Sequence, residues 1–321
     1  MKLKFKAVLA AAVTALTICA FAAGCTDKPE ENNTPDYGTL SIDDLKVFMT
    51  QDRSCTFAEI QPVFSKPEKA ESLTYTYDTS SIKIEGNTVT PIKRENKEVN
   101  VRAKSEHFNV VFKVEIEFLK FAEDSSGLYD LSRFDVAQRA ELCKEVTANT
   151  TLFIGDSFMD NHFIGEYMRS FAQGKDVLHA GISSTTSYHW EAAYSTVIGS
   201  TAPKNIVMHV GTNNFYDVHD LTSDTQDSLT RLFMLMHSKY PSSNIYWFNI
   251  TQRSDTSYAQ NVSETNVYMA EWCAKYDWIT CVDTCSKVTT AMLGDGVHPT
   301  TENYKVFTDA LVEAGCEITE K

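Results

Sequence analysis

The segment TTLFIGDSFMDNHF, residues 150–163, passes from an apolar run into Gly155-Asp156-Ser157 and then into helix-forming residues. Ser157 there has two readings: the cap of a helix after a buried strand, or a nucleophile at the open end of a sheet. The flanking sequence decides between them. Further apolar runs of strand length follow as DVLHAG, KNIVMHVG, NIYWFNI and DWITCVD, with amphipathic stretches between them. The patterning predicts helices to about Gln173, from about Tyr188, over Asp224–Tyr240, over Glu264–Tyr276 and over Thr301–Ala314. Five continuous apolar strands separated by helices imply an α/β fold, a parallel sheet covered on both faces. Ligands collect at the carboxyl ends of such strands.

Polar residues fall at those ends. Gly155-Asp156-Ser157 follows the first strand and Gly181 the second. Gly211-Thr212-Asn213-Asn214 follows the third, and GDGVHP precedes the last helix, with Asp295 three residues ahead of His298. Acyl transfer needs an activated nucleophile, a base, a group that holds the base, and donors for an oxyanion. Ser157 can supply the hydroxyl, His298 can take its proton, and Asp295 can fix the imidazole. The N–H groups of Ser157 and Gly181 and the amide of Asn213 are the candidate oxyanion donors. Asp156, Trp190, Asn214 and Phe215 are candidate substrate contacts, with Tyr216 beside them. Asp156 adjoins Ser157 and points away from its hydroxyl, so Asp295 is the better partner for His298. His209 reads as a core histidine. His179 is a residue that could line the site, and His162 and His189 lie in helices. Asp160 reads as a helix cap.

Ser157 in GDS, Gly181, Asn213 in GTNN and His298 in DGVHP resemble, in order, the four blocks of the SGNH hydrolases, also called GDSL esterases and lipases. The resemblance covers about residues 150–318. It implies a flavodoxin-like three-layer α/β/α domain and a serine esterase mechanism without metal or organic cofactor, with those residues in the roles above. This chain reads GDSF where GDSL is usual, and GTNN where an Asp more often follows the Asn.

Residues 40–121 have another rhythm. SLTYTYD, IKIEG, TVTPI, EVNVRAK and NVVFKVEIEF alternate apolar and polar residues, with Glu85-Gly86-Asn87 as a turn signal. A small β-sandwich is expected over residues 40–122, and the run from 42 to 119 resembles a bacterial immunoglobulin-like domain of group 2. A connecting helix follows within 123–147, with Ser132 and Asp135 as its capping pair, and the hydrolase region takes 148–321.

The N-terminus has targeting character. MKLKFK is basic, AVLAAAVTALTICAFAAG is apolar and uncharged, and small residues precede Cys25. A signal peptide over 1–24 and a polar tether over 25–39 are expected. Ala22-Ala23-Gly24-Cys25 resembles a bacterial lipoprotein box, which implies a lipid anchor on Cys25 and an exported, cell-surface or membrane-anchored protein, with simple secretion as the alternative. The net charge of −14 argues against nucleic acid as a partner. Of eight cysteines, six lie beyond Cys25, without zinc spacing. The expected activity is removal of a short acyl group, acetyl above all, from an acylated small molecule or acetylated polysaccharide. An acyltransferase on the same site and a non-catalytic glycan-binding lipoprotein are the alternatives.

Overall fold

Burial divides the strands of this chain into two kinds, and the computed structural model, which describes residues 35–321, assigns each kind to its own sheet system. The expectations for the signal peptide, Cys25 and most of the tether lie outside the described residues. No helix among the described residues is long and apolar enough to cross a membrane.

The first kind alternates. Among the described residues, nine strands precede the first α-helix: β1 (Leu40–Ser41), β2 (Leu45–Thr50), β3 (Ala58–Glu59), β4 (Val63–Phe64), β5 (Thr74–Thr76), β6 (Ile82–Glu85), β7 (Thr88–Pro91), β8 (Lys97–Lys104) and β9 (Asn109–Leu119). In β8 the side chains of Val99, Val101 and Ala103 point inward, while Glu98, Asn100, Arg102 and Lys104 face water. A sheet of order β2-β9-β8-β5 and another of order β3-β7-β6 enclose Val47, Ile82, Val89, Phe112, Val114 and Ile116. The pair β2–β9 is parallel, and the other pairs of these two sheets are antiparallel. The alternation thus corresponds to two sheets around one set of apolar side chains.

The second kind is buried on both faces. Helix α1 (Val136–Leu142) leads into β10 (Thr151–Gly155), α2 (Gly165–Phe171), β11 (Val177–His179), α3 (Ser187–Ile198) and β12 (Asn205–His209). There follow α4 (Thr212–Tyr216), α5 (Thr222–Lys239), β13 (Asn244–Phe248), α6 (Ala259–Cys273), β14 (Ile279–Val282) and α7 (Lys305–Glu313). The five strands pair in parallel in the order β11-β10-β12-β13-β14. Successive strand residues serve opposite layers. Leu152, Ile154, Ile206, Met208 and Trp247 pack towards α3, α5 and α6, and Phe153, Val207, Tyr246 and Phe248 towards α2 and α7. This is the doubly wound order, and its switch point falls between β10 and β12.

Two local expectations change. The α1 cap is Asp135, whose carboxylate accepts the Gln138 N–H at 3.3 Å, whereas Ser132 donates its own N–H to Asp130. Ser157 opens a single 3₁₀ turn, Ser157–Met159, and α2 begins only at Gly165. The Asp160 carboxylate accepts the His162 N–H at 3.0 Å and bends the chain between the two. Ser157 therefore stands at the start of a single turn and not at the head of the helix that the patterning extends to about Gln173.

Both sheet systems belong to one compact unit, Gly38–Lys321. Leu119, at the end of β9, is part of the α/β core. Asp52 pairs with Lys239 at 2.6 Å, and the Arg231 guanidinium lies 5.3 Å over the Phe48 ring while forking onto the fully buried Glu191 at 2.6 and 2.8 Å. Strand β2 and the loop after it thus meet α5 at its middle, through Phe48 and Arg231, and at its C-terminal end, through Asp52 and Lys239. The connecting stretch reaches the carboxyl edge of the parallel sheet, with Tyr129 against Tyr188 and Phe134 against His189 at the start of α3.

Candidate active site

The nucleophile turn is built from the strand upward. Gly155 ends β10 at φ +119°, and a Cβ there would lie 1.9 Å from the His209 carbonyl oxygen. Only glycine lets the ends of β10 and β12 approach so closely. Asp156 then turns inward and is fully buried. Its carboxylate accepts the Phe158 N–H at 3.0 Å and meets His209 Nδ1 at 2.9 and 3.0 Å. The Phe158 ring stacks on His209 at 4.0 Å. With its two neighbours anchored below, Ser157 faces outward at 8% exposure.

His298 comes to Ser157 from the far end of the chain. Its Nε2 lies 2.7 Å from Ser157 Oγ, and its Nδ1 lies 2.8 Å from Asp295 Oδ2. Asp295 Oδ1 also accepts the N–H groups of Val297 at 2.9 Å and His298 at 2.7 Å. Burial would raise the Asp295 pKa, but the His298 ring and these two N–H donors outweigh it and hold the carboxyl well below the usual range. An ionised Asp295 on Nδ1 fixes the tautomer that leaves Nε2 free to accept the serine proton. The loop is closed by Gly294 N–H on the His298 carbonyl and tied to its neighbour by Ser254 N–H on the Gly296 carbonyl, both at 2.8 Å.

Three groups are the candidate oxyanion donors. Beyond β11, Ala180 and Ile182 both donate their N–H groups to β10, to Phe153 and Gly155. Gly181 between them therefore directs its N–H to the opposite side. Neither that N–H nor the Ser157 N–H has an acceptor among the described residues. The Asn213 amide gives one hydrogen to the Thr185 carbonyl at 2.9 Å and keeps the other. Two unpaired backbone N–H groups and a fixed carboxamide beside a hydroxyl are what an oxyanion hole requires.

The sequence placed Ser157, Gly181, Asn213, Asp295 and His298 at one edge; the structure joins Ser157, His298 and Asp295 by hydrogen bonds, seats Gly181 against the backbone of Met159 and Asp160, and holds Asn213 on the Thr185 carbonyl. It withdraws the four candidate substrate contacts. Asp156, Trp190, Asn214 and Phe215 have no exposed surface. Trp190 donates its indole N–H to Thr185 Oγ1 and so supports the loop that holds Asn213. Asn214 accepts the Ser187 N–H and donates to Asp220, a donation that an Asp at this position would be unable to make. Phe215 stacks on Tyr258 within the core. His209 is a core residue as expected, and His189 joins Thr186 in a capping box. His179 does not line the site: it stacks on Phe153, with both ring nitrogens buried and unpartnered.

One wall went unread. Phe163 stacks on the His298 ring at 4.3 Å and 21°, and Phe158 tilts against the same ring at 5.1 Å. The only sequence signal for Phe163 is its place six residues after the serine. Among the described residues no group of three or more His, Cys, Asp or Glu side chains could hold a metal ion, and the six described cysteines are free thiols.

No family model matches the chain. No curated protein matches it either. Among solved structures it is similar to a GDSL-like lipase from Bacteroides thetaiotaomicron VPI-5482, with TM-score 0.46 and 16% identity over 56% of this chain and 96% of that one. It is also similar to an acetylxylan esterase from Geobacillus stearothermophilus, with TM-score 0.43 and 16% identity over 54% and 96%. A carbohydrate esterase of family 3 from Talaromyces cellulolyticus gives TM-score 0.41 and 16% identity over 50% and 94%. Likeness at this level says nothing about activity, which has to be read from the side chains.

Proposed function

We propose that this chain is a serine esterase that cleaves short acyl esters through an acyl-enzyme. The observation that carries this reading is the unbroken line from Asp295 through His298 to Ser157, at 2.8 and 2.7 Å, beside two N–H groups without acceptors. His298 Nε2 takes the Ser157 proton as Oγ attacks the acyl carbon. The resulting oxyanion accepts from the N–H groups of Ser157 and Gly181 and from Asn213, and Asp295 steadies the imidazolium. Collapse expels the alkoxide, which leaves as the alcohol with the proton from His298. Water activated by the same base then frees the acid and regenerates Ser157. Replacing Ser157 by Ala should lower p-nitrophenyl acetate turnover by at least ~10⁴-fold, and full activity in that variant would end the proposal.

The acetyl group and a carbohydrate alcohol remain the favoured substrate halves, on the strength of the targeting-like N-terminus and the acidic composition. Deacetylation of a panel of acetylated glycans, set against butyryl and longer esters, tests that choice. Lipidation at Cys25 belongs to the same proposal and is read by the mass of the N-terminal peptide from a membrane fraction. For the β-sandwich we propose the immunoglobulin-like identity and a spacer role.

A further inference from the structure

One buried carboxylate beside the site has no part in that mechanism. Asp160 is 7% exposed and holds four hydrogen bonds from three parts of the chain. Its Oδ1 accepts from the His162 N–H at 3.0 Å and from Arg139 Nη2 at 3.3 Å. Its Oδ2 accepts the Ser183 N–H at 3.1 Å and the Ser183 hydroxyl at 2.7 Å. Arg139 belongs to α1, Asp160 to the end of the nucleophile turn, and Ser183 lies two residues beyond Gly181.

The loop that Asp160 grips is close-fitting and strained. A Cβ at Gly181 would stand 2.3 Å from the Met159 carbonyl carbon and 2.6 Å from the Asp160 nitrogen. The loop therefore lies directly on the backbone of the nucleophile turn. Ser184, next to Ser183, has φ +61°, a left-handed conformation that a serine holds only when its surroundings compel it. Ile182 N–H fixes the loop to β10 on one side of Gly181, and Asp160 fixes it through Ser183 on the other.

We infer that Asp160, anchored by Arg139, is a positioning residue that fixes the Gly181 N–H against the nucleophile turn. The inference rests on the esterase reading above. It also gives the connecting helix a task in the site: α1 delivers the guanidinium that orients the Asp160 carboxylate. A loop released from this clamp keeps its donor but misplaces it, and misplacement of about 1 Å costs roughly 100-fold in rate.

The test compares wild type with Asp160→Asn, Ser183→Ala, Arg139→Met and Arg139→Lys on p-nitrophenyl acetate, with rates normalised to active sites titrated by a fluorophosphonate. Asp160→Asn is expected to lower kcat per titrated site by roughly 10–100-fold with KM changed less than about threefold. Ser183→Ala, which removes one donor and little volume, is expected to lower it about threefold to tenfold and decides the matter if Asp160→Asn fails to fold. Arg139→Lys should recover most of what Arg139→Met loses. The inhibition constant of phenylboronic acid, whose tetrahedral adduct uses the same donors, should rise by the factor that kcat falls. A merely structural clamp would lower thermal stability and leave kcat per site untouched. That result for Asp160→Asn and Ser183→Ala, with Ser157→Ala inactive, overturns the inference alone. A fully active Ser157→Ala overturns the esterase reading and the inference with it.

Discussion

Asp156 and Asp295 are carboxylates of the same small site, one adjacent to Ser157 in sequence and the other joined to it through His298. Their surroundings are opposite. Asp156 is sealed beneath the nucleophile with His209 and the Phe158 N–H as its partners, while the Asp295 side chain is 55% exposed on a surface loop. The nucleophile and its donors stand on buried polar groups that rigid strands hold in place. The acid–base pair hangs from a turn held by the Val297 and His298 N–H groups on the Asp295 carboxylate, by the Gly294 N–H on the His298 carbonyl and by one bond from Ser254. The comparison teaches that one half of the site is bound up with stability and the other is nearly independent of it.

That separation can be broken from either side. The largest effect is expected for Asp295→Asn, which keeps the shape of the turn but loses the charge that fixes the His298 tautomer. A kcat loss of ~10²–10⁴-fold with an unchanged melting temperature is expected, and a melting temperature that falls with activity would contradict the independence of this half. Asp156→Ala is expected to do the reverse. It leaves the His209 Nδ1–H and the Phe158 N–H unpaired in a sealed site, at a cost of about 3 kcal/mol in chemical denaturation. Unchanged stability would show that this floor bears no weight.

Acid sharpens the same contrast. Burial pushes the His179 imidazole down to about 4 from an ordinary 6.5, and His189 moves the same way for the same first cause. Between those values the unfolded chain binds protons that the fold does not. Stability therefore rises with pH across this window and is lost as pH falls through it. For His179 the loss is on the order of 2–3 kcal/mol, and denaturation of His179→Leu at pH 7 and pH 5 should show a smaller difference than wild type. The smallest effect is expected at the rim: Phe163→Leu, which removes the ring stacked on His298, should lower kcat/KM about threefold to tenfold without changing stability.

What the sequence made legible follows from this geometry. Ser157, Gly181, Asn213 and the Asp295–His298 pair each adjoin a strand end or the last helix, and one parallel sheet carries all such positions to one edge. Sequence proximity failed for Asp156 and Asn214 because residues next to a functional side chain point the other way, into the core. Trp190 and Phe215 failed because an aromatic side chain near a site packs as readily beneath it as beside it. The link from Arg139 to Asp160 to Ser183 joins residues 21 and 23 positions apart through tertiary packing, which no local pattern encodes. The 3₁₀ turn escaped notice because a side-chain bond to His162 N–H overrides the helical propensity of the residues after Ser157.

The central claim is that Ser157 is the activated nucleophile. Peptide mass mapping after treatment with diisopropyl fluorophosphate tests it most directly. A single phosphoryl adduct on the peptide carrying Ser157, formed at a rate that collapses in His298→Ala, is the predicted result. An adduct on another residue, or equal labelling of Ser157 with and without His298, would contradict the account.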